Sequence, residues 1–306
     1  MGGMDKMEKS IKHKKPVNGW DIAFKVFLVV FMVLFLLVTL YPVINTIALS
    51  FNDGTDAVRG GIYLWPRVFS TKSYETVLSM ENLLTGFKIS VFRTVLGTFS
   101  SLIVNALLAF VISRKRFLFS SQLSFFYVIT MYVNGGLIPT FILFKNLGLM
   151  NSFSVYWVPG LVSAWNMLVL RTYMKGISES LEESAQLDGA GYFTIFTKII
   201  SPLCKPVYAT IALFVAVGQW NNWFDAMIYN RLDTSLTVLQ YELMKLLSSV
   251  MQQSGSADSA KNAANTITPI TVRSAATVVT MLPIICVYPF LQRYFVTGLT
   301  IGGVKE

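Results

Sequence analysis

The chain has 306 residues, of which 54% are hydrophobic and only 13% charged, against roughly 25% charged in an ordinary globular protein. A mean hydropathy of +0.57 leaves too little polar surface to cover soluble cores, so the chain reads as a membrane protein with several spans. The same numbers exclude a disordered chain, a collagen-like repeat and a secreted disulfide scaffold. The net charge of +9 sits in short segments rather than along one face, which signals membrane orientation and not nucleic-acid binding.

In chain order, residues 1–22 form a basic tail holding Lys6, Lys9, Lys12, Lys14 and Lys15, and Lys25 follows at the start of the first apolar run. His13 in this tail has no partner at metal-ligand or proton-relay spacing and reads as a solvated residue. A first span over 26–49 exceeds the roughly 7–15-residue core of a signal peptide, so it stays in the membrane. Further spans are predicted at about residues 89–113, 123–144, 153–173, 207–229 and 272–295, each long enough to cross a ~30 Å hydrocarbon layer as a helix. Residues 23–306 thus read as an all-α polytopic membrane domain of six transmembrane helices. The lysine block and the triplet Arg114-Lys115-Arg116 after the second span place both termini in the cytoplasm of a cell-membrane protein.

Two outer segments are long. Residues 51–82 contain Tyr63 and Trp65, suited to anchor at the membrane interface. Residues 230–271 open with Leu236, Leu239, Leu243, Leu247 and Val250 on one helical face, then a flexible Ser/Ala/Asn-rich stretch over 252–266. This segment is either a spacer or a docking surface for an external partner. Cys204 and Cys286 lie in or beside apolar runs and read as buried small hydrophobes, not a disulfide.

The inner loop over 176–206 is unusual. It holds Glu179, Glu182, Glu183 and Asp188, and Ser180-x-x-Glu183 fits a capping box opening a short helix. Gly189 or Gly191 suits its end, a Tyr192-Phe193-x-x-Phe196-x-x-Ile199-Ile200 stripe follows, and Pro202 and Pro206 bound the entry to the fifth span. Such a loop is either an interfacial connector or a rigid knob that fits a groove on a cytoplasmic partner.

Glu183-Ser184-Ala185, then Asp188-Gly189-Ala190, then Phe196, Ile199, Pro202, Leu203 and Pro206 resemble the EAA loop of binding-protein-dependent ABC importer permeases. Ser184 replaces an Ala of that pattern and Ser201 a Leu. Ala109-Phe110-x-x-Ser113-Arg114 and the stretches 135–151, 218–229 and 288–305 resemble landmarks of the carbohydrate type, closest to the maltose-type second permease, so the likeness covers residues 24–305. The resemblance implies a type I importer permease fold with a cytoplasmic EAA helix between the fourth and fifth spans. It implies a different second permease chain, two ATP-binding subunits, an extracytoplasmic sugar-binding protein and an oligosaccharide substrate. Glu183 would pair with a basic residue in the ATPase groove, Gly189 would allow the close turn, and Phe196 would pack the loop on its own helices. Ser184, Ala185, Asp188, Ala190 and Pro202 complete the contact motif, and the tail Gly302-Gly303-Val304-Lys305 would also reach the ATPase.

No G-x-x-x-x-G-K-[ST] loop occurs, so ATP and Mg are expected on the partner ATPase, with no cofactor or metal here. No H-E-x-x-H or G-x-S-x-G motif suggests an enzyme. An ion-coupled secondary carrier or channel acting alone is the alternative. It would show internal repeats and intramembrane charges, whereas Arg93, Asp225 and Arg273 fall nearest the ends of the expected spans. For the sugar path, Trp220, Asn221, Asn222, Trp223 and Asp225 offer the amides, carboxylate and aromatic faces that hold saccharides. The competing reading is an aromatic belt with interhelical amides, which is also the expectation for Asn105, Asn134 and Asn166.

Overall fold

The computed structural model describes residues 19–253 and 268–301. The expectations for His13, the lysines before residue 19, residues 254–266 and the tail Gly302–Lys305 lie outside these residues. The described residues are helical, with no strand.

Helix α1 (Gly19–Ser50) is apolar on all sides and uncovered over its most hydrophobic window, as a helix solvated by lipid must be. Among the long helices it packs chiefly along α14 (Pro269–Ile301). The chain then ties a small outer knot around Asn52. The Asn52 Oδ1 accepts from the backbone N–H of Arg67 (2.8 Å) and Val68 (3.0 Å), and its Nδ2 donates to Asp56 Oδ2 (3.0 Å). Arg67 Nε donates to the same carboxylate oxygen at 3.0 Å, and Phe51 stacks on Phe69. Asp53 caps α2 (Gly54–Val58). Tyr63 and Trp65 project from the knot, Trp65 with 83% of its surface exposed.

After α3 (Lys72–Ser79) comes α4 (Glu81–Ser113), 33 residues without a proline. It begins eight residues before the predicted second span, so Arg93 lies well inside the helix rather than near its end. One face of α4 is small or polar: Gly86, Ser90, Arg93, Gly97, Ser101, Asn105 and Ala109 are buried at helical spacing. In a membrane, such residues let backbones approach and supply hydrogen bonds between helices. A Cβ on Gly86 would meet the backbone N of Leu239 at 2.9 Å, and the Leu239 N–H donates to Ser90 Oγ at 3.0 Å. That seats the outer helix α13 (Leu239–Gln253), whose predicted apolar face buries Leu239 and Leu243 against α4 and α14.

The other expected spans are broken. The third is α5 (Ser120–Tyr132) and α6 (Leu137–Asn146), bent by 115° where Gly136 takes φ +86°. The fourth is not one helix over 153–173. A 3-10 turn (Phe153–Tyr156) and an irregular stretch through Pro159 and Gly160 precede α7 (Ala164–Lys175). Asn105 makes this break tolerable: its Nδ2 donates to Leu161 O and its Oδ1 accepts from Ser163 N–H, both at 3.0 Å. The amide expected as interhelical glue satisfies freed backbone. Helix α8 (Ser180–Leu187) lies in the inner loop. It is followed by α9 (Tyr192–Thr194), a π-helical turn (Ile195–Ile200) and α10 (Ser201–Leu203). An 80° bend at Cys204 then leads into α11 (Lys205–Asn221), and a second break precedes α12 (Phe224–Tyr229). Among the described residues, three helices are long and apolar enough to cross a bilayer, and up to five spans result if each bent pair counts once. Cys204 is buried, whereas Cys286 sits on an exposed face of α14, unlike its expected burial.

Candidate coupling and substrate sites

At the inner loop, α8 ends in a Schellman turn. The Ala190 N–H donates to Ala185 O (2.9 Å), the Gly189 N–H to Gln186 O (3.0 Å), and Gly189 sits at φ +80°. The Ala of Glu183-Ser184-Ala185 and the Ala of Asp188-Gly189-Ala190 are thus the two residues that close one turn. Both are half-buried against the inner core. Glu183, Ser184, Asp188 and Gly189 face solvent, and Leu187 between them is 89% exposed. Phe196 packs on Phe110 of α4 with ring centroids 5.2 Å apart. Pro202 opens α10, where a missing N–H costs no helix bond, and is exposed.

The expected capping box does not form. The Ser180 hydroxyl bonds Ser178 Oγ at 2.7 Å, and no side chain caps α8, so Glu183 is free of that duty. Its neighbour Glu182 turns inward instead and forms a buried ion pair with Arg114. Arg114 also donates to Ser113 Oγ (3.0 Å) and Met174 O (3.2 Å) and lies over the Phe110 ring. Burial holds the Arg114 guanidinium below its usual pKa, offset in part by Cys204 and Glu179. Lys115 Nζ meets Glu179 at 2.9 Å, and Arg116 Nη1 donates to Tyr192 Oη at 3.3 Å. The triplet read from sequence as an orientation signal is therefore also a set of contacts to the inner loop, of which Arg114–Glu182 reaches α8 itself. A complement of acids in the same inner loop was the available signal.

Well inside α4, Arg93 is 1% exposed and fully engaged. Its guanidinium grips Asp225 bidentately (2.6 and 3.0 Å), donates to Gln219 Oε1 (3.0 and 3.1 Å) and Asn222 O (3.2 Å), and lies 4.5 Å from the Tyr156 ring centroid. This cluster holds the broken α11–α12 junction onto α4. The structure brings Asn222 and Asp225 together: Asn222 Nδ2 donates to Asp225 Oδ2 (3.1 Å), and Asn222 Oδ1 accepts from Phe224 N–H (3.2 Å). Asn221 and Asn222 are exposed, with Asn221 Oδ1 accepting from Gln240 Nε2 at 3.1 Å. Trp223 is half-buried, edge-on to Phe224. Trp220 turns elsewhere: it is buried against Phe87, and its Nε1 donates to Thr280 O of α14 at 3.0 Å. Sequence reading placed Arg93 near the end of a span and passed over Gln219 and Tyr156; a lone arginine inside an apolar helix was the clue.

No protein-family model matches the chain. It is 34% identical over 276 residues to the polygalacturonan/rhamnogalacturonan transport system permease protein YtcP of Bacillus subtilis, covering 90% of this chain and 96% of that one. The chain belongs to the sugar ABC transporter permeases. The arabinooligosaccharides transport system permease protein AraQ of Bacillus subtilis is 27% identical over 303 residues, 96% of this chain and 99% of that one. A crystal structure of a bacterial ABC transporter importing the acidic polysaccharide alginate superposes with a TM-score of 0.80 at 30% identity, covering 91% of this chain and 98% of that one. This sugar permease is thus a multi-pass, all-α membrane protein with an importer permease fold. It is a non-catalytic subunit, and ATP hydrolysis belongs to a separate chain.

Proposed function

We propose that this permease forms half of the translocation path of an importer for polysaccharide-derived oligosaccharides, beside a different permease chain. Two ATP-binding subunits bind ATP and Mg on the cytoplasmic side, where both termini also lie. A sugar-binding protein docks on the outer knot and α13. The observation that carries this reading is α8: a short helix outside the apolar segments, clamped from behind and closed by Gly189. It presents Glu183, Ser184, Leu187 and Asp188 outward, in the pattern that grips an ATPase groove. Closure of the ATPase dimer moves α8, and the path alternates between its two sides. Asn221, Asn222 and Trp223 line that path, while Asp225 and Trp220 hold its walls.

Acidic oligosaccharides are the proposed substrate class, supported by the polygalacturonan/rhamnogalacturonan permease and the alginate importer among the similar proteins. The test is purification of the tagged chain from a host expressing its neighbouring genes. Co-elution of a second permease and an ATPase is expected, lost on Gly189→Val. A chain that purifies alone and still takes up oligogalacturonate in vesicles contradicts the reading.

A further inference from the structure

Resting on the importer reading, we propose that α4 is the rigid link that carries motion from α8 to the substrate path, with Arg114–Glu182 as its joint at the ATPase end. Three observations meet in this helix. First, α4 is unbroken and free of proline. Among the described residues, the other two helices above 30 residues carry Pro42, or Pro283 and Pro289, and two further spans are bent by 115° and 80°. Second, two arginines anchor it: Arg93, buried within its packed face, and Arg114, half-buried just past its last turn. Arg114 pairs with Glu182 of α8, and Arg93 pairs with Asp225 beside the α11–α12 break. At 1.5 Å per residue the two guanidinium-bearing positions stand about 31 Å apart along one rod. Third, both joints are arginine forks locked by further contacts: Met174 O and the Phe110 ring at Arg114; Gln219, Asn222 O and the Tyr156 ring at Arg93. A fork held at several points fixes direction as well as distance, which a flexible lysine pair does not.

The contrast with Glu179 is informative. Its pair with Lys115 is exposed on both sides, so solvent screens it and it transmits little. Glu183 faces the partner and Glu182 faces α4, so two adjacent acids divide the work of receiving and passing on the movement. Arg114 and Glu182 are positioning residues: they touch neither nucleotide nor sugar.

The test uses the whole complex in vesicles, with ATP hydrolysis measured with and without binding protein loaded with oligogalacturonate. Glu182→Gln is expected to leave the complex assembled and to cut the stimulation at least tenfold. Glu179→Gln stays within twofold of the native complex. If Glu182→Gln does not accumulate, Arg114→Lys, which keeps the charge and loses the fork, is read in the same way. A fluorophore on Ser184→Cys, in a background lacking Cys204 and Cys286, then responds to ATP in both native and Glu182→Gln complexes. The same probe on Asn221→Cys responds only when Glu182 is present. Full stimulation in Glu182→Gln and Arg114→Lys, equal damage from Glu179→Gln, or an Asn221 probe that still responds without Glu182 overturns the proposal. A native complex that hydrolyses ATP with no response to binding protein sinks the importer reading itself.

Discussion

At Gly189 the backbone turns with φ +80°, and nothing lies within 4 Å of where a Cβ would stand. The cost of a substitution there is conformational, about 1–2 kcal/mol for an ordinary L-residue and more for a β-branched one. Gly189→Ala is therefore expected to weaken ATPase capture modestly and Gly189→Val severely, read as the fraction of ATPase that co-elutes. Glu183→Gln isolates the charge, because Glu183 caps nothing within its own helix. A charge-assisted contact in a partner groove is worth about 1.5–3 kcal/mol, so binding-protein-stimulated hydrolysis should fall roughly 10- to 100-fold; unchanged stimulation would remove Glu183 from the contact. Within α4, Arg93→Leu leaves Asp225 beside an apolar neighbour and should cost about 3–5 kcal/mol of stability. Adding Asp225→Leu should restore most of it. A thermal melt of the purified complex decides, and a double variant as unstable as the single would deny that the pair is the reason. For Asn222→Ala, lower oligosaccharide uptake by an assembled complex is the expectation, and loss of assembly would make Asn222 structural.

Among elements, α4 organises the rest because its small residues sit where other backbones cross. Gly86→Ala puts a methyl 2.9–3.1 Å from the backbone of Val238 and Leu239, so α13 must shift, at a cost of about 1–3 kcal/mol. A lowered melting temperature checks this, and an unchanged one would mean that α13 is loosely seated. The outer knot adds a pH prediction. The Asn52 amide and Arg67 hold the Asp56 carboxyl below its ordinary pKa, and Thr55 does the same for Asp53. Both contributions are complete above the ordinary carboxylate pKa of about 3.9. They are lost only as pH falls through the depressed folded values. Protease resistance of residues 51–70 should persist through mild acid and fail only below about pH 4; loss near neutrality would contradict the sign. How legible these elements were depended on how local their causes are. Gly189 and the neighbouring alanines announce a helix end within six residues, and α13 announces itself by period. The hydrogen-bond partners of Arg93 lie 126–132 positions away, and Met174, which Arg114 bonds, lies 60 away, beyond what one sequence displays. The capping box failed because Ser180 found Ser178 and Glu182 found Arg114, which local spacing does not reveal. The fourth span looked continuous because its repair, Asn105, lies on another helix.

The whole molecule is a lipid-solvated bundle built around one unbroken helix, with an ordered knot at one end and α8 at the other. Our proposed topology puts Ser79 outside and Ser184 inside, both at exposed positions. An impermeant thiol reagent should label Ser79→Cys in intact cells and Ser184→Cys only after lysis, in a background without Cys204 and Cys286. Ser73 in the same outer segment is buried and makes a poor reporter. The central claim is that this chain moves oligosaccharide only as part of an ATP-driven assembly. It is tested most directly by uptake of labelled oligogalacturonate into vesicles carrying the chain with its second permease and ATPase. Accumulation that requires ATP and the binding protein, and that persists when ion gradients are collapsed, is the predicted result. Accumulation by the chain alone, driven by an ion gradient without ATP, would contradict it.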